Sequence, residues 1–144
     1  MDKEKTGTRQ KNVRAAQAEG VCKRGEHGGA AGAVFLDWYK RRAASKIKER
    51  VEYWARLAGL RHGGIRINSA AKRWGSCGRN GGLNFSWRLV MAPHAALDYV
   101  VVHELSHLVH MNHSPDFWNT VRRIMPDYDA GRQWLKNNGH LLLV

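Results

Sequence analysis

The stretch VVVHELSHLVHMNHS, residues 100–114, contains the pattern H-E-x-x-H at positions 103–107. If this segment is helical, His103 and His107 lie four residues apart on one face, so both imidazoles can bind a single zinc ion. Glu104 would then lie close to a zinc-bound water and could take its proton during attack on a carbonyl. This combination is typical of zinc metallopeptidases.

The apolar residues around this pattern argue that its polar side chains have a partner. The letters YVVV precede it, and a leucine and a valine follow within the next turn, so we expect the helix to be largely buried. A buried His-Glu-His face without a metal would leave several polar groups unsatisfied, which is unfavourable. The alternative is an amphipathic helix whose solvated stripe happens to contain histidines, and the apolar flanks favour the metal.

A catalytic zinc usually has three protein ligands and one position for water, so a third ligand is needed. No glutamate follows position 104, which excludes a glutamate ligand from a downstream helix. His113 has the spacing from His107 that the third histidine has in the longer motif H-E-x-x-H-x-x-G-x-x-H. We therefore predict that His103, His107 and His113 bind zinc and that Glu104 is the catalytic base.

The chain departs from the longer motif at one position, because His110 stands where that motif has a glycine. We expect Asn112 to make the required turn instead, in the left-handed conformation that asparagine tolerates. His110 would then lie one turn too far along to reach the metal. His140 and Asp127 are the alternative third ligands.

The elements that must position these residues can be predicted from hydrophobic periodicity. Residues 34–60 have apolar side chains at helical spacing with basic residues between them, which indicates one long amphipathic helix that Gly59 ends. The segments GIRIN (64–68) and LNFSWRLV (83–90) alternate apolar and polar residues, as short strands do. We predict two or three antiparallel strands with glycines 81–82 in the connecting turn.

Three further helices are predicted after the strands. Pro93 suits the first turn of the helix that carries the H-E-x-x-H pattern, which we expect to run to about Met111. Ser114 is followed by a proline and should cap a helix over 115 to about 125, and a last helix should end near Gly139. The predicted fold class is α+β, with a long N-terminal helix, a short and mostly antiparallel sheet of about three strands, and the metal-binding helix plus two C-terminal helices.

The chain is strongly basic, and the charge is concentrated toward its N-terminus. The formal net charge is +12, of which residues 1–50 contribute +7. Such a balance favours encounters with polyanions, so weak non-specific nucleic-acid binding is one expectation, while a solvated helix face is the alternative. Residues 1–33 have almost no large apolar side chain and are predicted to be a disordered basic tail before a domain at 34–144.

Other features indicate a cytoplasmic protein without a membrane anchor. No run of about 18 apolar residues is present, and the N-terminus has no hydrophobic segment of the kind that signal peptides carry. The two cysteines, Cys22 and Cys77, lie far apart in different contexts, and we expect them to be reduced.

Four separated stretches also carry a family resemblance. In chain order they are RWGSC (73–77), NFSWRLVMAP (84–93), LDYVVVHELSHLVHMNHSPDFW (97–118) and MPDY (125–128). With these motifs the chain resembles the YgjP-like metallopeptidase family, distant relatives of SprT-like proteins, over roughly residues 70–135. The resemblance implies a small zincin-like α+β domain with His103, His107 and His113 on zinc and Glu104 as the base. Residues 1–33 lie outside these motifs.

The resemblance implies a hydrolase that acts on protein or peptide substrates. The family is also associated with nucleotide pyrophosphatase activity, so a metal-dependent nucleotide phosphohydrolase is the alternative, with Arg73, Arg79 and Arg88 as candidates to hold phosphates. A third interpretation is a nucleic-acid-associated protein with an accessory zinc domain.

Three predictions concern residues around the expected site. Cys77 is predicted to be a small packed side chain rather than a zinc ligand that holds the enzyme latent. Residues 84–89 are expected to form the edge strand that aligns an extended substrate. Phe117 and Trp118 should anchor the following helix beneath the site.

Overall fold

A computed structural model describes residues 29–142, which form four α-helices and a three-stranded sheet. The elements are α1 (Gly29–Ala58), β1 (Ile65–Asn68), β2 (Gly75–Cys77), β3 (Leu83–Ser86), α2 (His94–Ser106), α3 (Pro115–Ile124) and α4 (Tyr128–Asn138), with 3₁₀ helices at Trp87–Met91 and Gly139–Leu142. The predicted α+β class is confirmed. By its contacts the chain divides into two compact units, residues 1–39 and 40–144.

The long N-terminal helix starts earlier than its sequence pattern predicts. Helix α1 begins at Gly29, inside the segment predicted to be a tail, and the rest of that segment lies outside the described residues. In the first unit, the rings of Phe35, Trp38 and Tyr39 contact one another on consecutive turns, with centroids 5.1 Å apart for Phe35 and Tyr39. These local ring contacts add to helix stability there.

In the second unit α1 packs through one narrow stripe. Its buried apolar residues recur every four positions and are Ala43, Ile47, Val51 and Ala55. The basic residues that face solvent lie between them, as the periodicity predicts. Gly59 has a φ of +71°, a left-handed conformation that glycine adopts without strain, and this turn ends the helix at Ala58.

The sheet is mixed, with strand order β1-β3-β2. Strands β2 and β3 form the predicted antiparallel hairpin, and Gly81 has a φ of +84° in its turn. Strand β1, however, pairs parallel with β3, whereas the sequence predicted antiparallel strands. Because the chain reverses before β2 and again in the hairpin, β3 returns in the direction of β1 and lies between the other two strands.

Helix α2 is the central element of the second unit, and most of its side chains are buried. Helix α4 packs very closely against it at Gly131. A Cβ atom there would overlap the carbonyl oxygen of Ala95 and lie 2.8 Å from the Cβ of Tyr99, so only glycine allows this approach. The close packing fixes the part of α2 that precedes the H-E-x-x-H pattern.

Helix α2 ends at Ser106, and the prediction that it continues to about Met111 is wrong. The last turn tightens, since the Leu108 amide donates to the Leu105 carbonyl at 3.0 Å and the Val109 amide donates to the Ser106 carbonyl at 3.0 Å. Such i→i+3 bonds redirect the chain without a left-handed residue. No residue other than glycine has a positive φ within 29–142, so the left-handed turn expected at Asn112 is not formed.

Helix α3 begins as its sequence predicts. The Ser114 hydroxyl accepts a hydrogen bond from the Phe117 amide at 3.3 Å, and Pro115 occupies the first turn. This cap fixes the start of α3 directly after His113. Helix α4 ends at Asn138 with Gly139 as its cap, also as predicted.

None of the helices within residues 29–142 is long and apolar enough to cross a membrane.

Candidate metal centre

Three histidines from two chain segments converge at the end of α2. His103 lies on α2, His107 caps its C-terminus, and His113 lies in the loop before α3. One ring nitrogen from each lies within 4.8 Å of the others, and the Nε2 atoms of His103 and His113 are 3.1 Å apart. Within residues 29–142 no other group of three histidine, cysteine or acidic residues converges in this way.

This spacing fits a tetrahedral metal site. Zinc bound to nitrogens at about 2.0–2.1 Å requires ligand nitrogens about 3.3 Å apart, which small adjustments of the three rings would give. Burial, and the neighbouring rings of His107 and His113, lower the pKa of His103 to about 3. Burial also lowers the pKa of His107. Both imidazoles are therefore neutral near pH 7, which is the form that binds a metal.

The other ring nitrogens of the two helical histidines have partners that orient them. The Nδ1 atom of His107 lies 3.0 Å from the His110 carbonyl oxygen, so it carries the proton and leaves Nε2 free for a metal. The Nδ1 atom of His103 lies 3.3 Å from the Tyr99 hydroxyl. Tyr99 is one helical turn before His103, a spacing that could have pointed to this contact from the sequence.

Aromatic side chains from α3 form the floor of the site. Phe117 is fully buried, and its ring centroid lies 4.5 Å from that of His107 and 5.0 Å from those of His103 and His113. Trp118 packs against Phe117 and lies 5.8 Å from His103. The structure thus places both residues where the sequence predicts, against the rings and beneath them.

Glu104 lies beside the three histidines, on the side that faces the sheet. Its side chain is 6% exposed, and burial raises its pKa to about 7, against the opposing effect of Arg73. Gly75 of β2 permits this arrangement, because a Cβ there would lie only 3.0 Å from Cγ of Glu104 and 3.2 Å from Oε2. The β2 backbone can therefore approach the carboxylate closely.

These groups line one cavity of about 340 Å³, which we call the metal cavity. Its walls are formed by Glu104, the three histidines, Met111 and the β2 region, namely Arg73, Gly75, Ser76 and Cys77. A buried carboxylate next to convergent imidazoles can accept a proton from a bound water, which is the chemistry of a hydrolase.

Comparison with known proteins agrees with this geometry. A family model described as YgjP-like, metallopeptidase domain, matches residues 2–138. The chain belongs to the YgjP-like metallopeptidase family. The match reaches farther toward the N-terminus than the four sequence motifs and includes residues 2–33, which those motifs leave outside. A search of curated proteins found no match.

Two solved structures of metallopeptidase zymogens share the fold of this YgjP-like chain. Abylysin of Pyrococcus abyssi has a TM-score of 0.56 at 19% identity, with 66% of this chain and 94% of that chain covered. Jannalysin of Methanocaldococcus jannaschii has a TM-score of 0.54 at 22% identity, with 66% and 96% covered. At these identities the similarity establishes the fold.

The alternative ligands do not join the group of three histidines in this YgjP-like domain. His110 presents its backbone carbonyl to His107 rather than its ring to a metal. His140 is exposed in the C-terminal 3₁₀ helix, and Asp127 occupies the N-cap position of α4 without a side-chain capping bond. Both belong to elements beyond the converging rings, and neither belongs to the convergent group.

Cys77 lies in the wall of the metal cavity as a free thiol. Its Sγ lies 3.5 Å from the Gly78 carbonyl oxygen, and burial, with a smaller effect of Glu104, raises the pKa of the thiol. A protonated thiol that is half-buried fits the predicted packing role better than a ligand role. Cys22 lies outside the described residues.

The edge strand beside the metal cavity is not the one predicted. Residues 84–86 belong to the central strand β3, and the 3₁₀ helix starts at Trp87, so β2 is the edge strand beside the metal cavity. The Ser86 amide donates to the Trp74 carbonyl at 2.9 Å. Because antiparallel pairs alternate, the backbone groups of Gly75 and Cys77 point away from β3 toward the free edge.

The three arginines considered for phosphate binding are separated in the fold. Arg73 alone lines the metal cavity, and Arg79 lines a neighbouring one. Arg88 instead donates to the backbone carbonyls of Ser69 and Ala70, at 2.7 Å and 3.2 Å, and so supports the loop after β1.

Proposed function

We propose that this YgjP-like protein is a zinc-dependent peptidase in which His103, His107 and His113 bind the metal and Glu104 is the general base. The observation that carries the proposal is the convergence of three imidazoles beside one buried carboxylate, with those of His103 and His107 neutral near pH 7. A bound zinc ion would lower the pKa of its water toward neutrality and polarise the substrate carbonyl.

Glu104 has the properties that a proton carrier in this reaction needs. Its raised pKa of about 7 in the metal-free site reflects burial, and a nearby cation would favour the ionised form. The carboxylate can then accept a proton from the attacking water and deliver it to the leaving amine. A carboxylate positioned to do both acts first as general base and then as general acid.

The β2 edge supports a peptide as the substrate. The amide and carbonyl groups of Gly75 and Cys77 face outward at the rim of the metal cavity, where an extended peptide can add as a further strand. Main-chain hydrogen bonds of this kind bind peptides with little dependence on sequence. They offer no equivalent contact to a nucleotide.

The nucleotide phosphohydrolase alternative has weaker support. Among the described arginines only Arg73 lines the metal cavity, whereas phosphoryl transfer depends on several positive groups around the phosphates. The interpretation that α1 binds nucleic acid also has weaker support, because two of its basic side chains are already paired with carboxylates. Lys46 lies 3.3 Å from Glu49, and Arg50 lies 2.8 Å from Asp98.

The test of substrate class compares two assays on the same zinc-loaded, full-length protein. We expect cleavage of a peptide library, read by mass spectrometry, and no phosphate release from nucleoside triphosphates. A chelator should abolish cleavage and added zinc should restore it, which provides the control for a contaminating peptidase that does not need metal. Phosphate release without peptide cleavage would show that the phosphohydrolase alternative is correct.

A further inference from the structure

A second and larger cavity adjoins the metal cavity. It has a volume of about 820 Å³ and shares His107 and Met111 with the metal cavity. Its other walls come from the start of the segment before β1, from the β2–β3 turn and from the chain after α2; these residues are Arg61, Gly78, Arg79, Asn80, Gly81, Leu108 and Asn112. We call it the arginine cavity.

The arginine cavity is positively charged without compensation from its walls. Arg61 and Arg79 line it, and no acidic residue does. Within residues 29–142 neither guanidinium has an ion pair or a hydrogen bond, in contrast to Arg50, which is paired with Asp98. Two guanidinium groups that line one cavity without an acidic partner favour the binding of an anion there.

The whole sheet region around the arginine cavity contains basic residues and no acidic ones. No aspartate or glutamate occurs between Glu52 and Asp98, the segment that supplies all three strands and their connections. The basic residues in that segment are Arg56, Arg61, Arg66, Lys72, Arg73, Arg79 and Arg88. An anionic substrate would meet no repulsion from this wall, and only Glu104 opposes it in the metal cavity.

The two cavities are arranged along one path. Strand β2 (Gly75–Cys77) borders the metal cavity, and the residues that follow it, 78–81, border the arginine cavity. A peptide extended along β2 advances about 3.3 Å per residue. A peptide that continues past the end of β2 would therefore bring a side chain or terminus to the wall that Arg61 and Arg79 form.

We propose that the arginine cavity binds a carboxylate of the peptide substrate through Arg61 and Arg79, and so selects an acidic residue or a chain terminus near the cleaved bond. The proposal rests on the peptidase function proposed above. A guanidinium group can donate two parallel hydrogen bonds to a carboxylate, which gives both affinity and a fixed orientation. Carboxylates of the side chain and of the C-terminus have the same chemistry, and the experiment separates them.

The test uses a charge-removing variant and a matched control. Arg61→Gln/Arg79→Gln removes both guanidinium groups, whereas Arg66→Gln/Arg123→Gln removes the same charge at exposed positions that line neither cavity. Peptide pairs differ in one group only: Glu against Gln at each position around the cleaved bond, and a free against an amidated C-terminus. We expect the wild-type protein to favour one carboxylate by about tenfold in kcat/KM, the value of one charge-assisted hydrogen bond.

The Arg61→Gln/Arg79→Gln variant should lose this preference, and the control variant should keep it. A preference within the Glu/Gln pairs identifies a side-chain carboxylate, and one within the acid/amide pair identifies the C-terminus. Equal cleavage of all peptides by the wild-type protein would overturn the proposal. So would a preference that survives in the Arg61→Gln/Arg79→Gln variant.

A binding measurement separates failure of this proposal from failure of the peptidase function. If the zinc-loaded protein cleaves no peptide, the peptidase function fails. The Kd values of fluorescent Glu and Gln peptides for the Glu104→Gln protein, read by anisotropy, then decide the role of the arginine cavity. Tighter binding of the Glu peptide, lost when Arg61 and Arg79 are also replaced, would support it, and equal Kd values would overturn it.

Discussion

His113 is held differently from the two helical histidines, and this makes it the most informative ligand to change. His103 and His107 are placed by one helix, whereas His113 is placed by the tightened end of α2 and the Ser114 cap. We expect His113→Ala to weaken zinc binding by more than about 100-fold, beyond the effect of removing a group that only supports a ligand. Competition with a chromophoric chelator measures this affinity.

His110 provides the matched control for that measurement. It contributes its backbone carbonyl to His107, and alanine keeps that carbonyl. His110→Ala should therefore retain zinc affinity within a few-fold of the wild-type value. The reverse result, with zinc lost from His110→Ala and kept by His113→Ala, would show that the ligand assignment is wrong.

Glu104 should reduce the stability of the metal-free protein as the pH rises. Its pKa is about 7 in the folded protein against an ordinary value of 4.5, so the folded state holds the proton more strongly than the unfolded state does. Ionisation is therefore unfavourable to folding between about pH 4.5 and 7. Glu104→Gln has no charge to bury, so the variant should gain on the order of 3 kcal/mol relative to the wild type across that window.

Chemical denaturation of both chelator-treated proteins at pH 4.5 and pH 8 measures this difference. His103 and His107, whose pKa values are lowered, make both proteins less stable as the pH falls, so their contribution cancels between wild type and variant. The same difference in free energy of unfolding at both pH values would show that the Glu104 carboxylate is solvated in the folded protein.

Helix α2 is attached to α1 by an ion pair that spans 48 residues of chain. Arg50 donates from Nε and from Nη2 to the two carboxylate oxygens of Asp98, at 2.8 Å and 3.0 Å, and Asp98 is 6% exposed. Asp98→Ala should lower the free energy of unfolding by about 2–3 kcal/mol, because it leaves a half-buried guanidinium without its partner. Urea denaturation of the zinc-loaded protein measures the loss.

An exposed ion pair within α1 serves as the control for the Arg50–Asp98 pair. Lys46 and Glu49 are 3.3 Å apart, with side chains 42% and 65% exposed. Glu49→Ala should lower the free energy of unfolding by less than about 0.5 kcal/mol. Equal losses for Glu49→Ala and Asp98→Ala would mean that the Arg50–Asp98 contact does not join the two helices.

Elements with local signals were predictable, and those that depend on distant contacts were not. The start of α3 follows from Ser114 and Pro115, and the end of α4 follows from Gly139. The parallel pairing of β1 with β3 has no local signal, since it depends on which edge of β3 the hairpin leaves open. The end of α2 at Ser106 was missed for a similar reason, because apolar periodicity continues through Val109 while the backbone turns.

Across the whole domain, the candidate site was predictable only in part. The spacing of His103 and His107 was sufficient to predict a shared helix face, and the structure brings both rings together with that of His113. The close approach of Gly75 to Glu104 depends on the position of the sheet relative to α2, which no short pattern encodes. The edge-strand role of β2 was missed for the same reason.

The net charge of +12 is spread over the chain and is not confined to helix α1. On α1, Lys46 and Arg50 are paired, whereas Arg61 and Arg79 beside the site are not. The sheet region is therefore the better candidate for an anionic ligand. Weak non-specific nucleic-acid binding stays a prediction, and so does a disordered basic tail for the part of residues 1–33 that precedes α1.

The most direct test of the proposed zinc peptidase measures zinc content and peptide turnover together, in the full-length wild-type protein and in Glu104→Gln. Because glutamine keeps the shape of the side chain but cannot accept the proton, we expect about one zinc per chain in both proteins and turnover lower by about 100-fold or more in the variant. Wild-type turnover by a zinc-loaded Glu104→Gln protein would contradict the role of Glu104 as the base.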